Sequence, residues 1–188
     1  MRTFLPFEHF GAAFFRGESS IASRERPGRI GPAGKARFWI GLILLSAFFA
    51  QTGLGWYWGW LAEQQTHEMH KQMTGLLLVL FIGHQCWLSL QRTRGEPGAA
   101  RHALARHKRW GTIAPLLFYV HSVRLGHAYL FALSLSFFAV FALGLLHQQL
   151  LNLQKKWLNQ AWLIAHVALS TVLLILLGYH VYVSFAYE

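Results

Sequence analysis

Two long stretches without any charged residue constrain this chain more than any other feature. Residues 38–62 and 162–187 contain no Asp, Glu, Lys or Arg. An α-helix rises about 1.5 Å per residue, so about 20 apolar residues cross the roughly 30 Å hydrocarbon core of a bilayer. The composition agrees, since 54% of the 188 residues are hydrophobic and only 13% are charged. These stretches predict transmembrane helices.

The charged residues indicate how the chain lies in the membrane. The formal net charge is +10, and the basic residues lie in the N-terminal region and in short polar connections. Lys and Arg are retained on the cytoplasmic side of membranes, so the charge is a topology signal and no nucleic acid partner is expected. We expect a basic cytoplasmic arm over residues 1–37 and a lipid-embedded bundle over residues 38–188. A bacterial inner membrane with the N-terminus inside fits this pattern.

The number of spans depends on one ambiguous region. Spans are predicted at residues 38–61, 69–90 and 161–187. We favour two further spans, 108–124 and 127–147, joined by a turn at 124–127, because residues 111–120 are almost wholly apolar. In the alternative, residues 110–123 form an interfacial helix before a single span. The predicted fold is therefore an all-α membrane bundle of four or five transmembrane helices, with five preferred.

Histidines are the residues whose chemistry stands out. The chain has 11 of them, several within apolar stretches, where an imidazole costs free energy unless it is paired or ligated. Carboxylates are scarce, with seven in the chain and none between Glu96 and Glu188. The single cysteine, Cys86, and the lack of a CxxCH motif exclude a Cys-based metal site and covalent haem attachment by that motif. Buried histidines must therefore bond to one another, to backbone or to a metal.

The spacing of the histidines favours haem. His70 and His84, His107 and His121, and His166 and His180 are each fourteen positions apart. Fourteen helical residues make almost four turns and rise about 21 Å, so each pair lies on one helix face near opposite sides of the membrane. Such a helix can donate one axial ligand to each of two b-type haems. The predicted haem ligands are His70, His84, His121, His166 and His180, with His107 as a further candidate.

The remaining polar residues have simpler interpretations. Lys71, Arg109 and Arg124 are candidates for pairing with haem propionates. His9, His67, His102 and His147 are interpreted as ordinary residues of arms or span ends, and His127 as part of a turn.

Three segments carry a resemblance to a known group of proteins. They are His70-Lys-Gln-Met-Thr-Gly75 running to His84, His107-Lys-Arg-Trp-Gly111 running to His121, and the final span from Trp162 to His180. They resemble the helices of membrane b-type cytochromes, a group that includes ferric-reductase-like transmembrane domains and the cytochrome subunits of respiratory formate dehydrogenases and hydrogenases. The resemblance covers residues 38–187. It implies two haems stacked across the membrane, which exchange electrons with quinone or with other redox subunits.

The resemblance also implies how the ligands pair. His166 and His180 would each hold one haem iron. With five spans, His84 lies at the depth of His166, and His121 or His70 lies at the depth of His180. With four spans, His70 pairs with His166 and His84 pairs with His180.

These features predict transmembrane electron transfer by a diheme cytochrome b, as a subunit of a respiratory or redox complex more than as a stand-alone enzyme. The sequence contains no GxGxxG-type loop, so we expect the electron donor to be another protein or a quinol. The alternatives are a structural membrane subunit without haem and a histidine-lined ion or proton transporter. Transporter sites usually include Asp or Glu as well, and the predicted spans hold no carboxylate deep within them.

Overall fold

The structure, a computed structural model, describes residues 31–94, 97–152 and 155–186. These residues fold into helices without any β-strand, which confirms the all-α prediction. The helices are α1 (Pro32–Leu54), α2 (Gly59–Gln64), α3 (Glu68–Arg94), α4 (Pro97–Gly111), α5 (Ala114–His121), α6 (Tyr129–Asn152) and α7 (Lys156–Ala186). Most of the predicted basic arm, residues 1–30, lies outside the described residues, and its last residues, 32–37, already belong to α1.

Four of these helices are long and apolar enough to cross a membrane: α1, α3 over residues 68–91, α6 over residues 129–147, and α7. They confirm a membrane bundle. α3 and α7 match the predicted second and last spans closely, whereas the first span was predicted at 38–61 and its helix ends earlier, at Leu54. Gly55 ends α1 because its backbone is left-handed, with φ of 64°, a conformation that glycine adopts without steric cost.

The region whose number of spans was ambiguous lies within α4 and α5, which together form one interrupted helical pass alongside α3. Near one end of this pass Arg106 donates to Gln91 of α3 at 3.4 Å, and near the other end Gln65, just before α3, donates to the Val120 carbonyl at 3.0 Å. α4 and α5 together therefore run antiparallel to α3. The helix is interrupted at residues 112–113, before the buried Pro115, whose ring nitrogen has no hydrogen to continue the helical ladder.

The chain thus passes along the bundle five times in its described part, and four of the passes are long apolar helices. The predicted span at 108–124 is only partly right, because its apolar helix is the eight-residue α5 and the preceding α4 is basic. The predicted turn at 124–127 lies within the observed connection of residues 122–128.

Glycine is required in that connection. Gly126 has φ of 77°, and a Cβ atom at this position would lie 2.6 Å from Cβ of Leu130. The connection is then held on α6 by Ser134, whose hydroxyl donates to the Leu125 carbonyl at 2.8 Å.

The direction of the passes separates the charges. α1, α4 and α7 begin, and α6 ends, at one end of the bundle, which we call the basic end. Along α1, α4 and the start of α7 the described charged side chains are all cationic: Lys35, Arg37, Arg101, Arg106, Lys108, Arg109, Lys155 and Lys156. Residues 55–67 and 122–128 form the connections of the opposite end, where the described carboxylates, Glu63 and Glu68, are found.

Aromatic side chains fill the centre of the bundle. Phe48 of α1 packs on Phe118 of α5 and on Phe138 of α6, with ring centres 5.4 and 4.5 Å apart. Phe118 also contacts Phe137 of α6 at 5.1 Å. These rings join α1, α5 and α6, so the short α5 is held by the core despite the break before it.

Replacement of Phe118, which is 6% exposed, should destabilise the bundle. Phe118→Ala leaves a cavity among three neighbouring rings, and we expect a loss of about 3 kcal/mol or more in the free energy of unfolding. Thermal or denaturant unfolding in detergent micelles measures it. Phe131→Ala, at a position 46% exposed, is the matched control and should change stability by less than about 0.5 kcal/mol. Equal losses for the two variants would show that the aromatic cluster is not the core.

Candidate functional site

At the opposite end of the bundle, histidines from three helices come together. The imidazole rings of His121 on α5 and His180 on α7 have centres 6.4 Å apart and planes inclined at 71°. Nε2 of His70, on α3, lies 3.0 Å from the carbonyl oxygen of Val120, the residue before His121. Tyr129 of α6 is another neighbour of His180, with ring centres 6.2 Å apart. The structure therefore brings together three of the predicted ligands.

Hydrogen bonds define which nitrogen of His121 carries its proton. The Thr74 hydroxyl has one hydrogen, which it donates to the His70 carbonyl at 2.6 Å. The same oxygen lies 3.1 Å from Nδ1 of His121, where it can only accept. Nδ1 of His121 must then be the donor, which leaves Nε2 of a neutral imidazole with its lone pair available to a metal.

His180, the second ring of the pair, has one buried ring nitrogen. Nδ1 of His180 is buried and has no hydrogen-bond partner among the described residues. A buried polar atom without a partner costs about 1–3 kcal/mol. The polar atoms of the His180 ring are therefore not all satisfied by protein atoms in the described part of the chain.

Gly75 lets α3 approach the His121 ring closely. A Cβ atom on Gly75 would lie 3.2 Å from Cε1 and 3.7 Å from Nδ1 of His121. The space that a side chain would fill is therefore occupied by the His121 imidazole itself.

The distance between the two rings fits a shared metal. Metal–imidazole bonds are about 2.0 Å long and a ring nitrogen lies about 1.1 Å from its ring centre, so two imidazoles on opposite sides of one metal have centres about 6.3 Å apart. No group of three or more His, Cys, Asp or Glu residues suited to a bare metal ion occurs in the described part of the chain. Haem b needs only two protein ligands, because the porphyrin supplies the other four, so the residues present fit haem better than a free ion.

The histidines nearer the basic end are arranged differently. His166 of α7 stacks on Trp162, with ring centres 5.3 Å apart, and lies against Gly144 of α6. His84 is exposed on α3, and α3 and α7 are not among the main packed helix pairs. The structure does not bring His84 and His166 together as it does His121 and His180, so the pairing of these two stays a prediction.

His107 is held by a neighbouring amide. With the Gln85 side chain oriented to satisfy both of its polar atoms, Nε2 donates to Nδ1 of His107 at 2.7 Å and Oε1 accepts from the Gly111 amide at 3.2 Å. A neutral imidazole that accepts at Nδ1 carries its hydrogen on Nε2. His107 in this arrangement has no nitrogen left for a metal.

The predicted propionate partners are scattered. Lys71 forms an ion pair with Glu68 at 2.7 Å on the exposed side of α3. The Arg124 guanidinium lies over the Tyr57 ring, 5.5 Å from its centre. Arg109 is exposed on α4. Lys71 and Arg124 lie at the same end as the histidine pair, and Arg109 lies on the basic half of the α4–α5 pass.

Sequence reasoning missed three residues of functional interest. His147, interpreted as an ordinary span-end residue, is 9% exposed, and its ring lies 4.0 Å from that of Trp162. The short connection between α6 and α7 was the signal for it, because two antiparallel neighbours place residues equally distant from their turn side by side. Gln65 and Thr74, which contact the end of α5 and His121, gave no signal in the sequence.

Comparisons with known proteins give no family for this chain. Neither the family models, nor the curated proteins, nor the solved structures compared with it gave a match. Its function is therefore inferred from its own residues.

Trp162 links α6 and α7 in the half of the bundle nearer the basic end, so its replacement should change the stability of the protein measurably. Its indole Nε1 donates to the Leu143 carbonyl at 2.7 Å. Trp162→Phe removes this donor and part of the surface beside His147, and we expect a loss of about 1 kcal/mol in unfolding free energy in micelles. Trp157→Phe, on the same helix at a position 64% exposed, is the control and should behave as the wild type. Indistinguishable unfolding curves for all three proteins would contradict this role.

Proposed function

We propose that this chain is a membrane b-type cytochrome that transfers electrons, with one haem held between His121 and His180. The observation that carries the proposal is the meeting of these two rings, 6.4 Å apart, from helices distant in sequence. The lone pair available on Nε2 of His121 supports it. When bound, haem supplies a one-electron couple at its iron.

The chain's own residues would set the conditions for that couple. Apolar helices exclude water and lower the local dielectric. A low dielectric disfavours the extra positive charge that the haem iron carries in its oxidised state. The Thr74 hydroxyl holds the His121 ring and polarises its Nδ1–H, which makes Nε2 a stronger donor to iron. Lys71 and Arg124 lie at the end of the bundle where propionates of this haem would need cations.

A second haem nearer the basic end completes the proposal. His166 lies on the same helix as His180 and fourteen residues before it, which corresponds to about 21 Å along the helix axis. A haem ligated by His166 would be close enough to the first for electrons to cross the bilayer in two steps. His84 is the partner that the fourteen-residue spacing on α3 favours for it, and a closer approach of α3 and α7 would be needed.

We further propose a location and partners. The basic end would face the cytoplasm of a bacterial cell, since cations are retained on that side of the inner membrane. Electrons would be exchanged with quinone or with other redox subunits, which makes the chain an electron-transfer subunit. A structural subunit without haem and a histidine-lined transporter are the competing functions.

The absorption spectrum of the purified protein tests this proposal. We expect the wild type, purified in detergent, to show the sharp reduced-minus-oxidised band of a haem with two imidazole ligands. His121→Ala and His180→Ala should each lose one haem per chain, because each removes a ligand of the same iron. His102→Ala, at an exposed position on α4, should keep the wild-type spectrum and haem content.

A colourless wild-type preparation that remains colourless after addition of haem would overturn the proposal and favour the two haem-free functions. Loss of haem in the His102→Ala control would show that the spectrum reports general damage. Retention of full haem in both His121→Ala and His180→Ala would mean that other residues are the ligands.

The proposed orientation has its own test. A reporter that is active only in the cytoplasm, fused after Lys156, should be active, because this residue lies at the basic end. The same reporter fused after Thr66, in the connection before α3, should be inactive. An inactive fusion after Lys156 together with an active one after Arg101 would show that α4 and α5 do not cross the membrane, which leaves four spans.

A further inference from the structure

The end of α5, directly before His121, lies within the bundle and carries carbonyl groups that its own helix does not use. The last carbonyls of a helix lack intrahelical partners and must find others. Ser122 leaves the helical conformation, and its amide bonds back to the Phe118 carbonyl at 2.7 Å. The carbonyls of Tyr119 and Val120 are therefore left for side chains of other elements.

The Gln65 side chain forms hydrogen bonds with both of these carbonyls and with one backbone amide. Its Nε2 donates to the Tyr119 carbonyl at 2.8 Å and to the Val120 carbonyl at 3.0 Å. Its Oε1 accepts from the Val123 amide at 3.0 Å. One side chain thus bonds to the chain on both sides of His121.

His70 makes the next contact. Its Nε2 lies 3.0 Å from the Val120 carbonyl oxygen. An oxygen of this kind only accepts, so Nε2 of His70 must carry a hydrogen and donate it. The nitrogen through which imidazoles usually bind haem iron is therefore committed to the backbone at His70, whereas at His121 it is left with its lone pair.

We infer that Gln65, His70 and Thr74 form a support that positions His121, and that His70 is a positioning residue and not a haem ligand. This inference rests on the proposed function and selects between the two ligands, His70 and His121, that the sequence left open for the haem of His180. Gln65 and His70 fix the backbone before His121, and Thr74 fixes its ring. The support is local, since all three side chains lie within ten residues of one another, just before and at the start of α3.

Identical substitutions at the two histidines test the assignment. Gln keeps a donor that can reach a carbonyl but does not replace imidazole as an iron ligand. We expect His70→Gln to retain the wild-type haem content and the paired-imidazole spectrum, and His121→Gln to lose one haem per chain. His70→Leu, which has no donor, should bind haem less completely than His70→Gln and unfold at a lower temperature.

The Thr74 pair provides a second, independent readout. Thr74→Val removes the hydroxyl at nearly constant shape, whereas Thr74→Ser keeps it. A hydrogen bond that Nδ1–H of an iron-bound imidazole donates to an acceptor increases electron donation to the iron and favours its oxidised state. The midpoint potential of one haem should therefore rise in Thr74→Val and stay near the wild-type value in Thr74→Ser. A role of Thr74 in helix packing alone would not move the potential.

The outcomes separate the two proposals. Wild-type protein that never binds haem overturns the proposed function and this inference with it. Haem-bound wild type combined with a His70→Gln protein that loses one haem, as His121→Gln does, overturns the inference alone, because His70 would then be a ligand. Wild-type behaviour of His70→Leu, or equal potentials in Thr74→Val and Thr74→Ser, overturns it too, and the Thr74 pair decides if the His70 variants do not fold.

Discussion

Every polar group that this chain places in hydrocarbon must find its partner within the protein, and much of the architecture follows from that requirement. Within unbroken helices the backbone meets it alone. Hydroxyl groups meet it by bonding to carbonyls one turn earlier, as Ser136 and Ser170 do. The requirement becomes demanding only where a helix is broken or ends inside the bundle, and the chain does both between α4 and α6.

The short helix α5 shows how the requirement is met. Its start is relieved by Pro115, which has no amide hydrogen to leave unsatisfied. Its end is satisfied by Gln65 and by His70, from residues about fifty positions earlier in the chain. Its side is held by Phe118 in the aromatic core. A helix of eight residues would not be stable alone, so its position, and with it the position of His121, is set by these contacts.

How much of this could be predicted follows from the range of the interactions involved. The spans at α3 and α7 follow from apolar runs, which are a local property, and the turn near 124–127 follows from local composition. The early end of α1 at Gly55 is also local, but an uninterrupted apolar run conceals it. The break at residues 112–113 and the bonds made by Gln65 depend on which helices become neighbours, and a single sequence does not state that. The histidine spacing pointed to the residue type on which the proposed function rests, whereas the proposed choice between His70 and His121 depends on hydrogen bonds that the sequence does not reveal.

The two halves of α7 meet the bundle in different ways, and this bears on what lies between the rings. Around His166, α7 packs closely on α6, through Trp162 and Gly144. Around His180, the neighbouring imidazole comes from α5, although α5 and α7 are not one of the main packed helix pairs of the described chain. The two rings therefore lie between α5 and α7, whose backbones do not pack closely on each other. In hydrocarbon there is little general force to draw apolar helices together, so a junction of this kind needs a specific interaction to hold it. The proposed sharing of one haem iron by the two imidazoles would provide such an interaction, whereas a bare contact between the two rings would provide much less.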